Sequence, residues 1–132
     1  MDLEIIKIAE KANNSKCIKN HTHCSKLKNP LCGDEIQIKL IIKKNKIINF
    51  SFEGESCIYC QASASLLSKI SINKQVITLK KLCNDAELYF KGNHIIIQKK
   101  WNILLKLFKS KNAGRKECIL LPFKTLKKCI SD

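Results

Sequence analysis

The segment NPLCGDEI, residues 29–36, places a thiol and a carboxylate two positions apart, at Cys32 and Asp34, with Gly33 between them. Glycine adopts backbone conformations that are closed to other residues, so the chain can turn sharply enough here for both flanking side chains to face one ion. Thiolates and carboxylates are both zinc ligands, and a thiolate is also a nucleophile. The segment therefore predicts a metal site or a sulfur-based reaction where this loop enters an apolar run.

Two more cysteines occupy positions suited to the same site. Cys57 follows the apolar run KIINFSFE, and Cys118 lies in RKEC, each at the start of a predicted helix. The N-terminus of a helix carries partial positive charge, which helps to keep a thiol ionised. If the runs between Asp34 and Cys57 pair as a hairpin, Cys32, Asp34 and Cys57 converge at one end of the sheet. Cys118 would then complete a tetrahedral set of three thiolates and one carboxylate, which zinc accepts.

The hydrophobic pattern of the first half predicts a helix, a loop and a hairpin. Apolar residues recur near helical spacing over residues 2–14, whereas residues 15–34 are mostly polar and predict irregular backbone. IQIKLIIK and KIINFSFE flank Lys44-Asn45, and two β-rich runs joined by a short polar turn predict an antiparallel hairpin. A helix follows, with Ser56 as its predicted N-cap and small residues that allow close packing on the hairpin.

The second half is predicted to be mainly helical. INKQVITLKKLCNDAELYF and WNILLKLFK look helical, HIIIQ predicts a short strand, and SKNAGRKE predicts a polar loop. A last helix is predicted from about Cys118. The expected buried positions are Ile36, Ile38 and Leu40 in the first strand of the hairpin and Leu120, Leu121, Phe123, Leu126 and Ile130 in the last helix. The prediction is one α+β domain over residues 1–132: a small antiparallel sheet of about three strands, covered on one face by helices, with the metal site at one end.

Lysine dominates the charge of the chain. The net charge is +14, but Arg115 is the only arginine and the lysines are spread over almost every segment. Because there is no basic stripe with interleaved aromatic residues to stack on bases, we expect no nucleic-acid partner. No apolar run reaches the roughly 18 residues of a membrane span, and the acidic start differs from a secretory signal, so we expect a cytoplasmic protein without a membrane partner. In a reducing compartment, eight cysteines favour metal binding or sulfur chemistry over disulfides.

Three motifs carry a resemblance to a known family. NPLCGDEI, then FEGESC with ASAS shortly after it, then RKEC leading into LLPF resemble, in that order, the U-type iron–sulfur cluster assembly scaffold proteins: the NifU N-terminal domain, IscU and SufU. The resemblance spans roughly residues 2–130. The long interval from Cys57 to Cys118 and the absence of an LPPVK motif make the chain most similar to the SufU-like branch. Ser56 and Glu117 depart from the pattern, since many members have glycine at the first position and IscU has histidine at the second.

The resemblance implies both ligands and a function. The family's metal or cluster ligands fall on Cys32, Asp34, Cys57 and Cys118, and its basic residue three positions before the last cysteine falls on Arg115. A scaffold or zinc-dependent sulfur acceptor is implied rather than a stand-alone enzyme. A pyridoxal-phosphate cysteine desulfurase would hand sulfur to Cys32, with Arg115 near that thiol. An iron–sulfur cluster held transiently on the ligands, or the sulfur itself, would pass to acceptor apoproteins or other assembly factors, and Zn²⁺ is the alternative occupant.

Two alternatives concern metal binding. Glu117 adjoins Cys118, so the sequence leaves open which of the two completes the ligand set. Separately, His21, His23 and Cys24, together with Cys17, could bind zinc in a small interaction module that has no sulfur-transfer chemistry. The loop that contains them is otherwise expected to be solvated.

The remaining thiols and His94 have simpler interpretations. Cys83 and Cys129 lie on apolar faces of predicted helices, where cysteine is most often a core residue. The pair Cys57 and Cys60 has the spacing of a redox motif, but the strand and βαβ crossover that usually surround such a motif are missing. His94 precedes a β-rich run, and we expect it to be structural.

Overall fold

The computed structural model describes residues 3–10, 18–30, 33–91, 99–108 and 115–131. The strands are β1 (His23–Lys28), β2 (Glu35–Lys43) and β3 (Lys46–Glu53). The helices are α1 (Leu3–Glu10), α2 (Ile58–Ser71), α3 (Val76–Phe90), a 3-10 helix (Lys99–Leu104), α4 (Leu105–Phe108) and α5 (Lys116–Ile130). The described chain is therefore an α+β fold, as the sequence predicted.

The predicted hairpin is confirmed. Strands β2 and β3 pair antiparallel, and Lys44 and Asn45 form the turn between them, with φ values of 53° and 64°. Two consecutive residues with positive φ are typical of the tight turns whose twist matches that of the flanking strands. The register sets Gln37 opposite Glu53, so the start of β2 lies beside the end of β3.

Strand β1 corrects the prediction of irregular backbone over residues 15–34. His23–Lys28 pairs antiparallel with β2, which makes β2 the central strand in the order β1-β2-β3. The strand was missed because its inward positions are not a run of large apolar residues. One of them is Ser25, which is buried and donates a hydrogen bond from Oγ to the carbonyl oxygen of Thr125 at 2.7 Å. The buried polar group is thus satisfied by a helix 100 residues away in sequence.

The core lies between the sheet and the helices. Ile36, Ile38 and Leu40, at alternate positions of β2, are at most 2% exposed, as predicted. Helix α5 packs against β1 and β2, and α2 packs against α1, α5 and β3. The predicted apolar residues of the last helix are all buried, and so are Cys83 and Cys129. Within the described residues, no helix combines the length and the hydrophobicity that crossing a membrane requires.

Several predicted boundaries need correction. Ser56 is not the N-cap of α2; the N-cap is Cys57, which has extended backbone angles, φ −71° and ψ 168°. Helix α5 begins at Lys116, two residues before the predicted start. The segment WNILLKLFK begins in the 3-10 helix and continues into α4 rather than forming one α-helix. The predicted strand HIIIQ, at residues 94–98, and His94 itself lie outside the described residues.

Candidate metal centre

Three of the four predicted ligands come together. A carboxylate oxygen of Asp34 and the Sγ atoms of Cys57 and Cys118 all lie within 4.8 Å of one another. Over the part of the chain that the structure describes, these residues form the one group of three or more Cys, His, Asp or Glu side chains close enough to share an ion. The fourth predicted ligand, Cys32, lies outside the described residues.

The hairpin brings the first two ligands together. Asp34 immediately precedes β2, and Cys57 follows β3 by four positions, so antiparallel pairing leaves both at one end of the sheet. The backbone N–H of Glu35 donates to the carbonyl oxygen of Glu55 at 2.8 Å, which continues the pairing beyond the end of β3. Gly54, the residue that follows β3, has a φ of +141°, and a Cβ there would collide with the Glu35 carbonyl oxygen. Glycine is therefore required where the chain leaves the sheet toward Cys57.

The loop before Asp34 is closed by backbone hydrogen bonds. The N–H of Asn29 donates to the Asp34 carbonyl oxygen at 2.7 Å, and the N–H of Gly33 donates to the Asn29 carbonyl oxygen at 2.8 Å. Gly33 has a φ of 77°, in the left-handed region that glycine occupies without strain. The two bonds tie Gly33 and Asp34 to Asn29, the residue that follows β1, and so fix Asp34 at the start of β2.

The Asp34 carboxylate has one satisfied oxygen and one unsatisfied oxygen. Asp34 is 8% exposed, and its Oδ1 accepts a hydrogen bond from the backbone N–H of Cys57 at 3.1 Å. Its Oδ2 is buried, and no donor for it exists within the described residues. An unsatisfied buried acceptor typically costs about 1–3 kcal/mol, so native structures rarely keep one without a reason. A cation bound by the Asp34 carboxylate and the two sulfur atoms would remove that cost if it coordinated Oδ2.

Helices α2 and α5 present the two sulfur ligands. Cys57 is the N-cap of α2 and is half-buried, whereas Cys118 is in the first turn of α5 and is 5% exposed. The two helices pack against each other, and Ser63 Oγ donates to the Ile119 carbonyl oxygen at 2.6 Å. One face of the site is therefore a pair of packed helix ends, and the other is formed by Asp34.

The donor set fits a tetrahedral metal ion. Two thiolate sulfurs and one carboxylate oxygen are ligand types that zinc accepts, and thiolates also hold iron in iron–sulfur clusters. Three described ligands leave a fourth coordination position for a further ligand. The buried Asp34 Oδ2 has no donor among the described residues, and a bound metal ion would satisfy an oxygen of this kind.

Glu117 lies outside the group. Its carboxylate pairs with Lys124 Nζ at 3.4 Å, and both side chains are more than two-fifths exposed. Of the two neighbours, it is Cys118 that joins Asp34 and Cys57.

Arg115 lies beside the site and contacts an aromatic ring that the sequence analysis did not single out. Arg115 is the N-cap of α5 and is exposed, and its guanidinium carbon lies 5.5 Å from the centroid of the Tyr59 ring. A guanidinium within about 6 Å of an aromatic centroid is attracted to the ring face. Tyr59 follows Cys57 by two positions, so the contact joins the starts of α2 and α5. The signal in the sequence was an aromatic residue between two cysteines in CIYC.

The residues of the alternative zinc module are not brought together. His23 and Cys24 are consecutive in β1, so their side chains project to opposite faces of the sheet. His23 Nδ1 hydrogen-bonds with Thr22 Oγ1 at 2.8 Å, and Cys24 Sγ accepts from Gln37 Nε2 at 3.3 Å. Neither these residues nor His21 belongs to a ligand group among the described residues, and Cys17 lies outside them.

The buried thiols lie in the core. Cys60 and Cys83 are fully buried within the hydrophobic cluster. Burial, and to a lesser extent the nearby Glu87 carboxylate, raises the pKa of Cys83 to about 12. A thiol that stays protonated at neutral pH is a poor nucleophile, so Cys83 is a structural residue.

Comparison with known proteins identifies the family. Residues 4–89 match the model of the NifU-like N terminal domain. The iron–sulfur cluster assembly scaffold protein IscU of Thermotoga maritima is 33% identical over 103 residues, which cover 78% of this chain and 72% of that protein. An uncharacterized protein of Borreliella burgdorferi is 32% identical over 109 residues, which cover 82% of this chain and 71% of that protein.

Solved structures share the fold over nearly the whole chain. A structure described as an iron–sulfur cluster assembly scaffold protein for the SUF system of Fervidobacterium islandicum AW-1 matches with a TM-score of 0.90 and 25% identity, covering 98% of this chain and 96% of that one. The N-terminal part of a NifU-like protein from Brucella abortus matches with a TM-score of 0.86 and 20% identity over 98% of this chain and 91% of that one, which shows the common fold. The chain belongs to the NifU-like N-terminal domain family, the family of the U-type iron–sulfur cluster assembly scaffolds.

Proposed function

We propose that this protein accepts sulfur from a pyridoxal-phosphate cysteine desulfurase and binds its metal cargo through Cys32, Asp34, Cys57 and Cys118. The site holds either iron assembled with sulfur into a transient iron–sulfur cluster, or a single zinc ion that orders the site during sulfur transfer. The observation that carries the proposal is the buried Asp34 Oδ2 with no donor in the described chain, in a group with two cysteine sulfurs. Membership in a family that includes iron–sulfur cluster scaffolds supports the same assignment.

The sulfur-transfer step is a thiolate exchange. The thiolate of Cys32 attacks the outer sulfur of a cysteine persulfide on the desulfurase, a new S–S bond forms, and the donor's S–S bond breaks. The donor cysteine leaves as a thiolate, so the electrons balance without an added oxidant or reductant. Cys32 is the preferred acceptor because it lies in the segment between Asn29 and Asp34, whereas Cys57 and Cys118 are held at helix ends.

The other residues of the site have distinct roles in this proposal. Cys57 and Cys118 anchor the cargo, since thiolates are the softer and more tightly held ligands. Asp34 is the harder and more readily displaced ligand, and it allows exchange. Arg115 offers a positive charge beside the site, where it attracts the anionic persulfide of the donor or an acidic group near it.

Anaerobic purification tests the proposal. Metal and acid-labile sulfide are measured together with the visible absorption spectrum, and the protein is then incubated, both as purified and after addition of Zn²⁺, with a cysteine desulfurase and labelled cysteine. A brown protein with sulfide supports the cluster scaffold, and a colourless protein with one zinc ion per chain supports the zinc-dependent acceptor. Label should appear on the wild type and on Cys60→Ser, which serves as the control, but not on Cys32→Ser. A wild type that acquires neither metal nor label would contradict the proposal.

A further inference from the structure

We infer that Ser63 is a positioning residue that holds Cys118 in the metal group. The inference rests on the proposed function for the role of that group. Ser63 Oγ donates a hydrogen bond of 2.6 Å to the carbonyl oxygen of Ile119, and both residues are fully buried. Ser63 belongs to the helix that begins at Cys57, and Ile119 follows Cys118 directly. This one hydrogen bond therefore ties the two helices that carry the sulfur ligands.

Pro122 makes this tie more important than an ordinary contact between helices. In an α-helix, the N–H of residue 122 would donate to the carbonyl oxygen of Cys118, but proline has no N–H and its ring crowds that carbonyl. Pro122 therefore takes away one of the hydrogen bonds that join the first turn of α5 to the rest of the helix. The next carbonyl along the chain, that of Ile119, is the one that Ser63 holds.

The Ser63 hydrogen bond consequently links α2 to the turn of α5 that carries Cys118, next to the position where Pro122 removes a bond within α5. Because α2 also presents Cys57, the distance between the two sulfur atoms depends on the Ser63 hydrogen bond. Groups that orient metal ligands without contacting the metal typically contribute about 10–100-fold to metal affinity. We therefore expect removal of the Ser63 hydroxyl to weaken metal binding by about tenfold or more.

Two other buried serines provide matched controls. Ser71 is fully buried in the same helix, but its hydroxyl donates to the Leu67 carbonyl oxygen of that helix at 2.6 Å. Ser25 also donates to α5, to the Thr125 carbonyl oxygen at 2.7 Å, but that residue follows Pro122. Loss of either hydroxyl removes a comparable buried hydrogen bond without releasing the turn that carries Cys118.

The first experiment measures metal affinity in the full-length chain. Metal-free wild type, Ser63→Ala, Ser71→Ala and Ser25→Ala are titrated with Zn²⁺ against a competing chelator, and with Co²⁺ to follow the thiolate-to-cobalt charge-transfer band. Ser63→Ala should bind Zn²⁺ about tenfold or more weakly and lose part of the band, while both controls stay within about twofold of wild type. Equal affinities and spectra in Ser63→Ala and Ser71→Ala would overturn the inference.

The second experiment uses no metal. Cys118 is 5% exposed, so its alkylation rate in the metal-free protein reports how often the first turn of α5 opens. Alkylation of Cys118, followed by peptide mass spectrometry, should be faster in Ser63→Ala than in Ser71→Ala. Pro122→Ala adds a backbone N–H to α5, so it should slow the alkylation of Cys118. This variant keeps Ser63, so its result does not depend on whether Ser63→Ala folds. Unchanged alkylation rates in Ser63→Ala and Pro122→Ala would overturn the inference.

The two experiments separate this inference from the proposed function. If wild type binds Zn²⁺ and Ser63→Ala matches the controls, the positioning role fails and the metal site stands. If wild type binds neither Zn²⁺ nor Co²⁺, the proposed ligand set fails, and the alkylation rates still decide whether Ser63 holds Cys118.

Discussion

The Asp34 carboxylate accepts the backbone N–H of Cys57 at 3.1 Å, across the open end of the β2–β3 hairpin. One side chain thus holds the start of α2 through Oδ1, keeps a buried Oδ2 that has no donor among the described residues, and has a carboxylate oxygen within 4.8 Å of the Cys57 and Cys118 sulfurs. The carboxylate is both a structural acceptor and a candidate ligand. These two roles can be separated by mutation.

Replacing Asp34 should slow the delivery of sulfur or cluster to an acceptor more than it weakens binding of the metal or cluster to this protein. In Asp34→Ala the cysteines still hold the cargo, but the exchangeable ligand is gone, so delivery of sulfur or cluster to an acceptor apoprotein should slow by about tenfold. Asp34→Asn keeps an oxygen that can accept the Cys57 N–H and is the matched control for loss of that hydrogen bond. Delivery is measured as the rate at which the acceptor gains its cluster or labelled sulfur. A wild-type rate in Asp34→Ala would contradict the assigned role.

Arg115 should influence the encounter with the desulfurase and not metal binding. It is exposed, it lies against Tyr59, and it is absent from the ligand group. Arg115→Glu should raise the concentration of this protein needed for half-maximal desulfurase activation by about tenfold, because a favourable charge becomes repulsive. Lys116→Glu makes the same charge change at the next exposed position and should have a smaller effect. Equal effects of the two substitutions would show that the net charge of the protein, and not the position of Arg115, controls desulfurase activation, and would contradict the role assigned to Arg115.

The two glycines that flank the hairpin should differ in their tolerance of alanine. At Gly54 a Cβ would collide with the Glu35 carbonyl oxygen, and the φ of +141° is strained for any other residue, so Gly54→Ala should lower the free energy of unfolding by about 3 kcal/mol. At Gly33 no described atom beyond its chain neighbours lies within 4 Å of the added Cβ, so the φ of +77° dominates and the loss should be about 1 kcal/mol. Urea denaturation measures both. A larger loss at Gly33 would refute the packing argument.

The Cys83 thiol should make the protein sensitive to alkaline pH. Its pKa rises from 9.0 to about 12 on folding because the thiol is buried. Between these two values the unfolded chain has lost the proton and the folded chain keeps it, so the free energy of unfolding falls as pH rises, by about 1.4 kcal/mol at pH 10. Cys83→Ala should be less stable near pH 7, because it leaves a cavity, but should lose less stability between pH 8 and about 10. Parallel pH profiles for the two proteins would contradict this.

The hairpin was predictable from the sequence because its information is local. Alternating apolar residues mark the inward face of β2, and Lys44-Asn45 supplies the turn, so the convergence of Asp34 and Cys57 followed from pairing alone. Cys118 was proposed as a ligand from its position at a predicted helix start and from the family resemblance, but no local pattern brings α5 back to the hairpin.

The missed features depend on contacts distant in sequence. Strand β1 escaped prediction because the burial of Ser25 becomes favourable only with the Thr125 carbonyl as its acceptor. The contact between Tyr59 and Arg115 and the hydrogen bond from Ser63 to Ile119 likewise exist only once α2 and α5 have packed. Ser56 was a reasonable N-cap on residue type, but α2 begins one position later, with Cys57 as its N-cap.

X-ray absorption at the zinc K-edge of the zinc-loaded protein tests the central claim most directly. The proposed ligands predict three sulfur scatterers at about 2.3 Å and one oxygen at about 2.0–2.2 Å. Cys118→Ser and Cys32→Ser should each lose one sulfur scatterer, and Cys83→Ser should leave the spectrum unchanged. Imidazole scattering, or a sulfur count that is the same in wild type and Cys118→Ser, would show that the metal binds elsewhere and would contradict the account.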